Sequence, residues 1–132
     1  MNSFARKIIS LCFSTLLLIV FLEFIFIQAK LFKYVPHIGI GFHFVGGMAI
    51  AGISLYLFRS AMLLQKRYIQ SIFMLGCVAL SAVGWEGFEW VISTYFYNNN
   101  LQGSLNNTMG DLYVGLAGGV AVCVVNYWKP IR

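Results

Sequence analysis

The chain has 132 residues, of which 60% are hydrophobic and only 10% are charged, and its mean hydropathy is +0.81. A water-soluble domain of this length needs a larger share of polar surface. The net charge of +5 could indicate a nucleic-acid partner, but the cations lie in small groups beside apolar stretches. Topology signals and anionic lipid head groups account for that placement, so we expect no nucleic-acid binding.

Four apolar stretches follow one another along the chain, at about residues 8–29, 38–58, 69–95 and 109–127. Each is near the ~20 residues that a helix needs to cross ~30 Å of hydrocarbon. None alternates between polar and apolar residues as barrel strands do. The first stretch is longer than the apolar region of a typical signal peptide, so we interpret it as a retained helix. The sequence predicts an all-α integral membrane protein, a single four-helix transmembrane bundle.

The basic residues predict the orientation of this bundle. Seven of the nine lie on one side of the predicted membrane, namely Arg6, Lys7, Arg59, Lys66, Arg67, Lys129 and Arg132. Only Lys30 and Lys33 lie on the other side, and the polar loop 98–108 has no cation. The positive-inside rule then places both termini in the cytoplasm, and we expect a bacterial inner-membrane location with the lipid bilayer as partner.

Small residues are concentrated in the second, third and fourth spans, whereas the first is rich in Leu, Ile and Phe. Because small residues let helices approach closely in lipid, we expect those three spans to form a tight core and the first to be peripheral. Gly115 and Gly119 have the G-x-x-x-G spacing, which makes their face a candidate contact for a homo-oligomer. Either Asn107 or Thr108 is predicted to cap the fourth helix.

All four acidic residues, which are Glu23, Glu86, Glu89 and Asp111, fall within apolar stretches or at the start of one. An ionisable group inside a bilayer is costly and usually marks a functional site. With the predicted orientation, these acids and His43 all lie in the outer half of the membrane. We therefore predict a polar cavity that opens outward between spans two, three and four.

The main ligand- or proton-binding candidates are those on the small-residue faces of these spans: His43, Glu86, Glu89 and Asp111. Glu23 is a peripheral candidate, because its span lacks small residues and its carboxylate could simply reach Lys30. Lys30 and Trp85 are predicted to line the mouth of the cavity. The three cysteines lie in different spans and form no metal or redox motif, so we assign them a structural role.

One imidazole and three carboxylates could bind a divalent metal, since E-x-x-E spacing puts Glu86 and Glu89 side by side on a helix. We expect no haem, because His37 and His43 lie on or beside a single helix. A proton or ion relay, a pocket for a lipid head group or small polar molecule, and pairs that only fix helix register remain alternatives.

The pattern favours a small membrane protein that binds or moves a cation, a proton or a small polar ligand. Two alternative functions stay open. One is a metal-dependent or acid/base membrane enzyme that acts on a lipid, with Glu86 or Asp111 as base. The other is a structural or accessory membrane subunit.

The polar motifs also resemble those of a known group. His43-Phe44 followed by glycines, the run from Trp85 to Trp90 with its E-x-x-E-W core, and Gly110-Asp111-Leu112 leading to Gly115 are similar to the YjdF-like inner-membrane proteins of bacteria. The similarity covers roughly residues 41–120. The resemblance implies an inner-membrane location and the importance of His43, Glu86, Glu89 and Asp111, and it implies no particular activity. A looser similarity links the chain to VanZ-like small membrane proteins.

Overall fold

A computed structural model describes residues 3–35, 37–97 and 104–129, and nearly all of them are helical. In chain order the helices are α1 (Ser3–Gln28), α2 (Ile38–Leu57), α3 (Arg59–Met62), α4 (Arg67–Ile92) and α5 (Leu105–Trp128). A 3-10 turn at Leu31–Lys33 follows α1, and a π-helical turn at Ser93–Tyr97 extends α4. The single turn α3 lies in the short connection between α2 and α4.

Four of these helices, α1, α2, α4 and α5, are long and apolar enough to cross a membrane. The 26 residues of α1, at about 1.5 Å each, give about 39 Å of helix against ~30 Å of hydrocarbon. A helix suits this environment because its backbone polar groups bond to one another and need no water. The predicted fold class, an all-α membrane protein, is confirmed.

Two helices begin earlier than hydropathy predicts. Helix α1 starts at Ser3, and α5 starts at Leu105 with Ser104 as its cap, whose side-chain oxygen accepts a hydrogen bond from the Asn107 backbone N–H at 3.4 Å. The prediction that Asn107 or Thr108 caps this helix is therefore wrong. Hydropathy marks where apolar residues begin, whereas the backbone hydrogen bonds of α5 begin one turn earlier in polar sequence. Part of the predicted polar loop, residues 98–103, lies outside the described residues.

Helix α2 is the centre of the bundle. It packs against α1, α4 and α5, and α4 also packs against α5, whereas α1 packs chiefly against α2. Rings of α1 and α2 meet at both ends, Phe4 with Tyr56 and Phe26 with Phe42, so these two helices are antiparallel. One third of the α2 span is buried, against 6% of the α1 span. The expected arrangement, a core of three spans with a peripheral first span, agrees with this packing.

Neutral amides lie at the end of the bundle where α4 begins and α5 ends. Gln70 is 2% exposed, and its Nε2 donates to the carbonyl oxygens of Met62 and Gln65 at 2.7 and 3.1 Å. Its Oε1 accepts from Nδ2 of buried Asn126 at 2.9 Å. These bonds tie the α2–α4 connection and α5 to α4. We call this end of the bundle the amide end.

Candidate functional site

Three ionisable side chains from three helices meet at the opposite end of the bundle, which we call the acid end. His43 of α2, Glu86 of α4 and Asp111 of α5 each offer one potential ligand atom, and these atoms all lie within 4.8 Å of one another. Glu86 is buried and the other two are half-buried. At about 1.5 Å per residue, the three positions lie about 8 to 9 Å from the nearest end of their own helices. We call these three residues the triad.

The glycines of α2 and α5 explain why His43 and Asp111 can meet. A Cβ on Gly47 would collide with the carbonyl oxygen of Gly115, and a Cβ on Gly118 would collide with that of Phe44. The two backbones therefore touch, as small residues permit in membrane helices. Gly47 lies one turn from His43, and Gly115 lies one turn from Asp111, so the same contact carries both functional side chains to one place.

Asp111 has a neighbour that orients it. Nδ2 of Asn107, one turn earlier on α5, donates a hydrogen bond to Oδ2 of Asp111 at 2.6 Å. His43 Nε2 lies 3.7 Å from the same oxygen, close enough for an ion pair when the imidazole is protonated. An amide that holds a carboxylate in one orientation is a common feature of the shell around a metal ligand.

Two further acids, Glu23 and Glu89, form a pair beside the triad. Their side chains approach each other across α1 and α4, close enough to interact. Nε1 of Trp85 donates to Oε1 of Glu89 at 3.0 Å and fixes its orientation. Glu23 is 7% exposed, so it belongs to the buried acid cluster and does not reach out to Lys30.

A cavity of about 250 Å³ leads from this cluster toward the middle of the bundle. Glu23, His43 and Trp85 form its polar end. Its walls are mainly apolar and come from α1, α2 and α4, while α5 contributes Gly115. His43 is thus shared between the cavity and the triad.

Three predictions about this region are wrong. The cavity lies between α1, α2 and α4 rather than between spans two, three and four, because the glycine contacts close the space between α2 and α5. Lys30 does not line the cavity, since it lies exposed in a left-handed turn after α1, with φ of 53°. The Gly115/Gly119 face is not available to a second copy, because α2 and side chains of Val78 and Leu75 from α4 cover it.

The predicted site residues separate into the triad and a neighbouring pair. His43, Glu86 and Asp111 converge, whereas Glu89 pairs with Glu23, and Trp85 binds Glu89 and lines the cavity. Asn107 was not predicted as a site residue. Its spacing of four residues from Asp111 could have identified it, because residues four apart share a helix face.

The comparisons with known proteins address the whole chain. Neither a curated protein nor a solved structure matches it. A family model described as a predicted membrane protein, DUF2238, matches residues 5–130. The expectation of a membrane-protein family is confirmed, although the match does not carry the YjdF name. The four spans and the length of the match agree on one conclusion: the chain belongs to the DUF2238 family of predicted membrane proteins.

Proposed function

We propose that this protein binds one divalent metal ion through His43, Glu86 and Asp111, within the membrane. The observation that supports the proposal is the convergence of their three ligand atoms within 4.8 Å from three separate helices. Two protein ligands of one zinc ion lie at most about 4.2 Å apart, twice the bond length of about 2.1 Å. Small rotations of side chains would therefore bring the triad to bonding distance.

The ligand chemistry narrows the choice of metal. One imidazole nitrogen with two carboxylates suits ions such as Zn²⁺, Fe²⁺ or Mn²⁺, whereas a soft ion such as Cu⁺ prefers sulfur. A dication also balances the two carboxylates, which otherwise would be costly to hold as charges at membrane depth. Asn107 supports the site from outside the triad through its bond to Asp111.

The cations support an orientation for the site. Six basic residues of the described chain flank the amide end: Arg6, Lys7, Arg59, Lys66, Arg67 and Lys129. Lys30 and Lys33 follow α1 at the acid end. By the positive-inside rule we place the amide end and both termini in the cytoplasm of a bacterium, with the metal in the outer half of the inner membrane.

Metal analysis of purified protein tests this function. We expect about one equivalent of metal per chain after exposure to Zn²⁺ or Mn²⁺ and removal of free ions. His43→Ala and Glu86→Gln should each weaken binding by about 100-fold or more, because an orienting residue alone contributes 10–100-fold. His37→Ala is the matched control, since His37 is exposed and lies outside the triad. Equal metal content in all four proteins would refute the proposal.

A further inference from the structure

The cavity beside the triad is elongated along the bundle. Its lining spans Leu16 to Glu23 on α1, Phe42 to Ile50 on α2 and Val78 to Trp85 on α4. These stretches are eight or nine residues long, which corresponds to about 10 to 12 Å of helix. The volume of about 250 Å³ exceeds the ~150 Å³ of an apolar cavity that holds benzene. The space suits a slender chain.

The two ends of the cavity differ in chemistry. Toward the middle of the bundle the lining is apolar, with Leu16, Ile50 and Val78. At the acid end it reaches Glu23 and His43, and His43 also belongs to the triad. A molecule that fills this space must be apolar along its length and polar at one end.

The side of the cavity is accessible from the bilayer. Val20 of α1 and Ser81 of α4 both line the cavity and are exposed at the outer surface of the bundle, Val20 to 45%. Helices α1 and α4 pack against α2 rather than against each other. A chain in the bilayer can therefore enter between α1 and α4 beside Val20 and Ser81, nearer the middle of the bundle than the Glu23–Glu89 pair.

We propose that the cavity holds an acyl chain of a membrane phospholipid, whose phosphate binds the metal of the triad. This inference rests on the proposed metal site. The acids alone would repel a phosphate, whereas a metal with three protein ligands keeps coordination positions that an anionic oxygen can occupy. Charge thus selects a phosphate-bearing lipid, and the apolar walls select its chain.

The test uses the full-length protein in detergent with a phospholipid that carries a photoreactive diazirine in its acyl chain. After illumination, mass spectrometry compares labelling of Leu16 and Ile19, which line the cavity, with Leu17 and Leu18, which face outward. We expect preferential labelling of the first pair in the metal-loaded protein. Chelation of the metal should abolish this preference, and a diazirine diacylglycerol without phosphate should not show it.

A variant whose new side chain fills the cavity provides a second test. Gly46 lines the cavity and a Cβ there meets nothing within 4 Å, so Gly46→Leu should occupy the space and keep the fold. It should lower the preference by about tenfold or more, because the chain loses the burial of several CH₂ groups. Gly76→Leu makes the same change on exposed α4 surface outside the cavity and should have no effect.

Metal content measured on the same samples separates the two proposals. Bound metal without preferential labelling of the cavity overturns the lipid inference alone. Equal labelling by the phospholipid and the diacylglycerol also overturns it, because phosphate would then play no part. Cavity labelling in a protein that binds no metal overturns the metal site and, with it, the phosphate contact proposed here.

Discussion

Both ends of the bundle bury polar side chains, but those side chains differ in whether they can satisfy one another's hydrogen-bonding groups. At the amide end, Gln70 and Asn126 are neutral, and the Gln70 amide group bonds to two carbonyls and to Asn126. At the acid end, the ligand atoms of His43, Glu86 and Asp111 lie close together. The two carboxylates among them can only accept hydrogen bonds when they are ionised. Neutral amides can donate to and accept from one another, although Oδ1 of Asn126 has no partner among the described residues, whereas clustered carboxylates need a cation or a proton. We therefore interpret the amide end as a stabilising network, and we propose the acid end as a binding site.

Variants that change only one end of the bundle test the contrast between the two ends. A variant at the contact between α2 and α5 should change stability and metal binding together. Gly47→Ala places a Cβ against the carbonyl oxygen of Gly115, which is backbone and cannot turn aside. We expect a loss of about 1–3 kcal/mol or more in the free energy of unfolding from overpacking. Metal affinity should fall as well, because α2 carries His43 away from Asp111.

Gly46→Ala is the control for this prediction, because the added Cβ at the adjacent glycine meets nothing within 4 Å. Both variants gain the same helix propensity, up to about 1 kcal/mol, so their difference isolates the contact. Unfolding in detergent with increasing dodecyl sulfate measures it. Equal stability of the two proteins would show that α2 and α5 do not touch at Gly47.

Gln70→Ala should affect the amide end alone. The substitution leaves Nδ2 of Asn126 without its partner, and an unsatisfied buried group costs roughly 1–3 kcal/mol. The Met62 carbonyl loses one of its two hydrogen bonds and keeps the one from the Gln65 backbone N–H. We expect a lower free energy of unfolding with unchanged metal affinity. Gln65→Ala is the control, since the Gln65 side chain is exposed and its backbone carbonyl stays in place. A loss of metal from Gln70→Ala would break the proposed division between the two ends.

Asn107→Ala should affect the acid end alone. It removes the 2.6 Å hydrogen bond to Asp111, and loss of an orienting partner typically weakens metal binding by 10–100-fold. Stability should change little, because Asn107 is exposed on the first turns of α5. Titration calorimetry with Zn²⁺ provides the measurement, with the exposed neighbour Asn106→Ala as control. Identical affinities of the two variants would exclude a role for Asn107.

Trp85→Phe should have the smallest effect. It removes the Nε1–H donor to Glu89 and keeps an aromatic ring at the wall of the cavity. A hydrogen bond contributes about 1 kcal/mol net, and this one is made to an acid outside the triad. Its loss should therefore change metal affinity by only a few-fold. Trp90→Phe, on the exposed surface of α4, is the control. A change as large as that of Asn107→Ala would mean that Glu89 itself is a ligand.

The four spans could be predicted from the sequence, because a single chain segment crosses a bilayer only as an apolar helix of about 20 residues. Depth along each helix and the positions of small residues also placed His43, Glu86 and Asp111 near one another. Those small residues determine which helix faces touch, and the glycine contacts of α2 and α5 are the physical reason that the side chains meet.

The position of Glu23 was harder to predict. Helix α1 is apolar on every side, so its sequence does not distinguish the face toward α2 from the face toward lipid. The structure turns Glu23 inward to Glu89, and the cavity forms along the same face of α1. The amide network was missed for a different reason. Gln70 and Asn126 are 56 residues apart, and single amides near span ends resemble ordinary interfacial residues.

X-ray absorption spectroscopy of the metal-loaded protein identifies the atoms bound to the ion and so tests the proposed metal site itself. We expect a single imidazole nitrogen together with oxygen ligands, and we expect the imidazole signal to disappear in any metal retained by His43→Ala. Sulfur ligands, two imidazoles, or an unchanged imidazole signal in His43→Ala would contradict a metal site built from His43, Glu86 and Asp111.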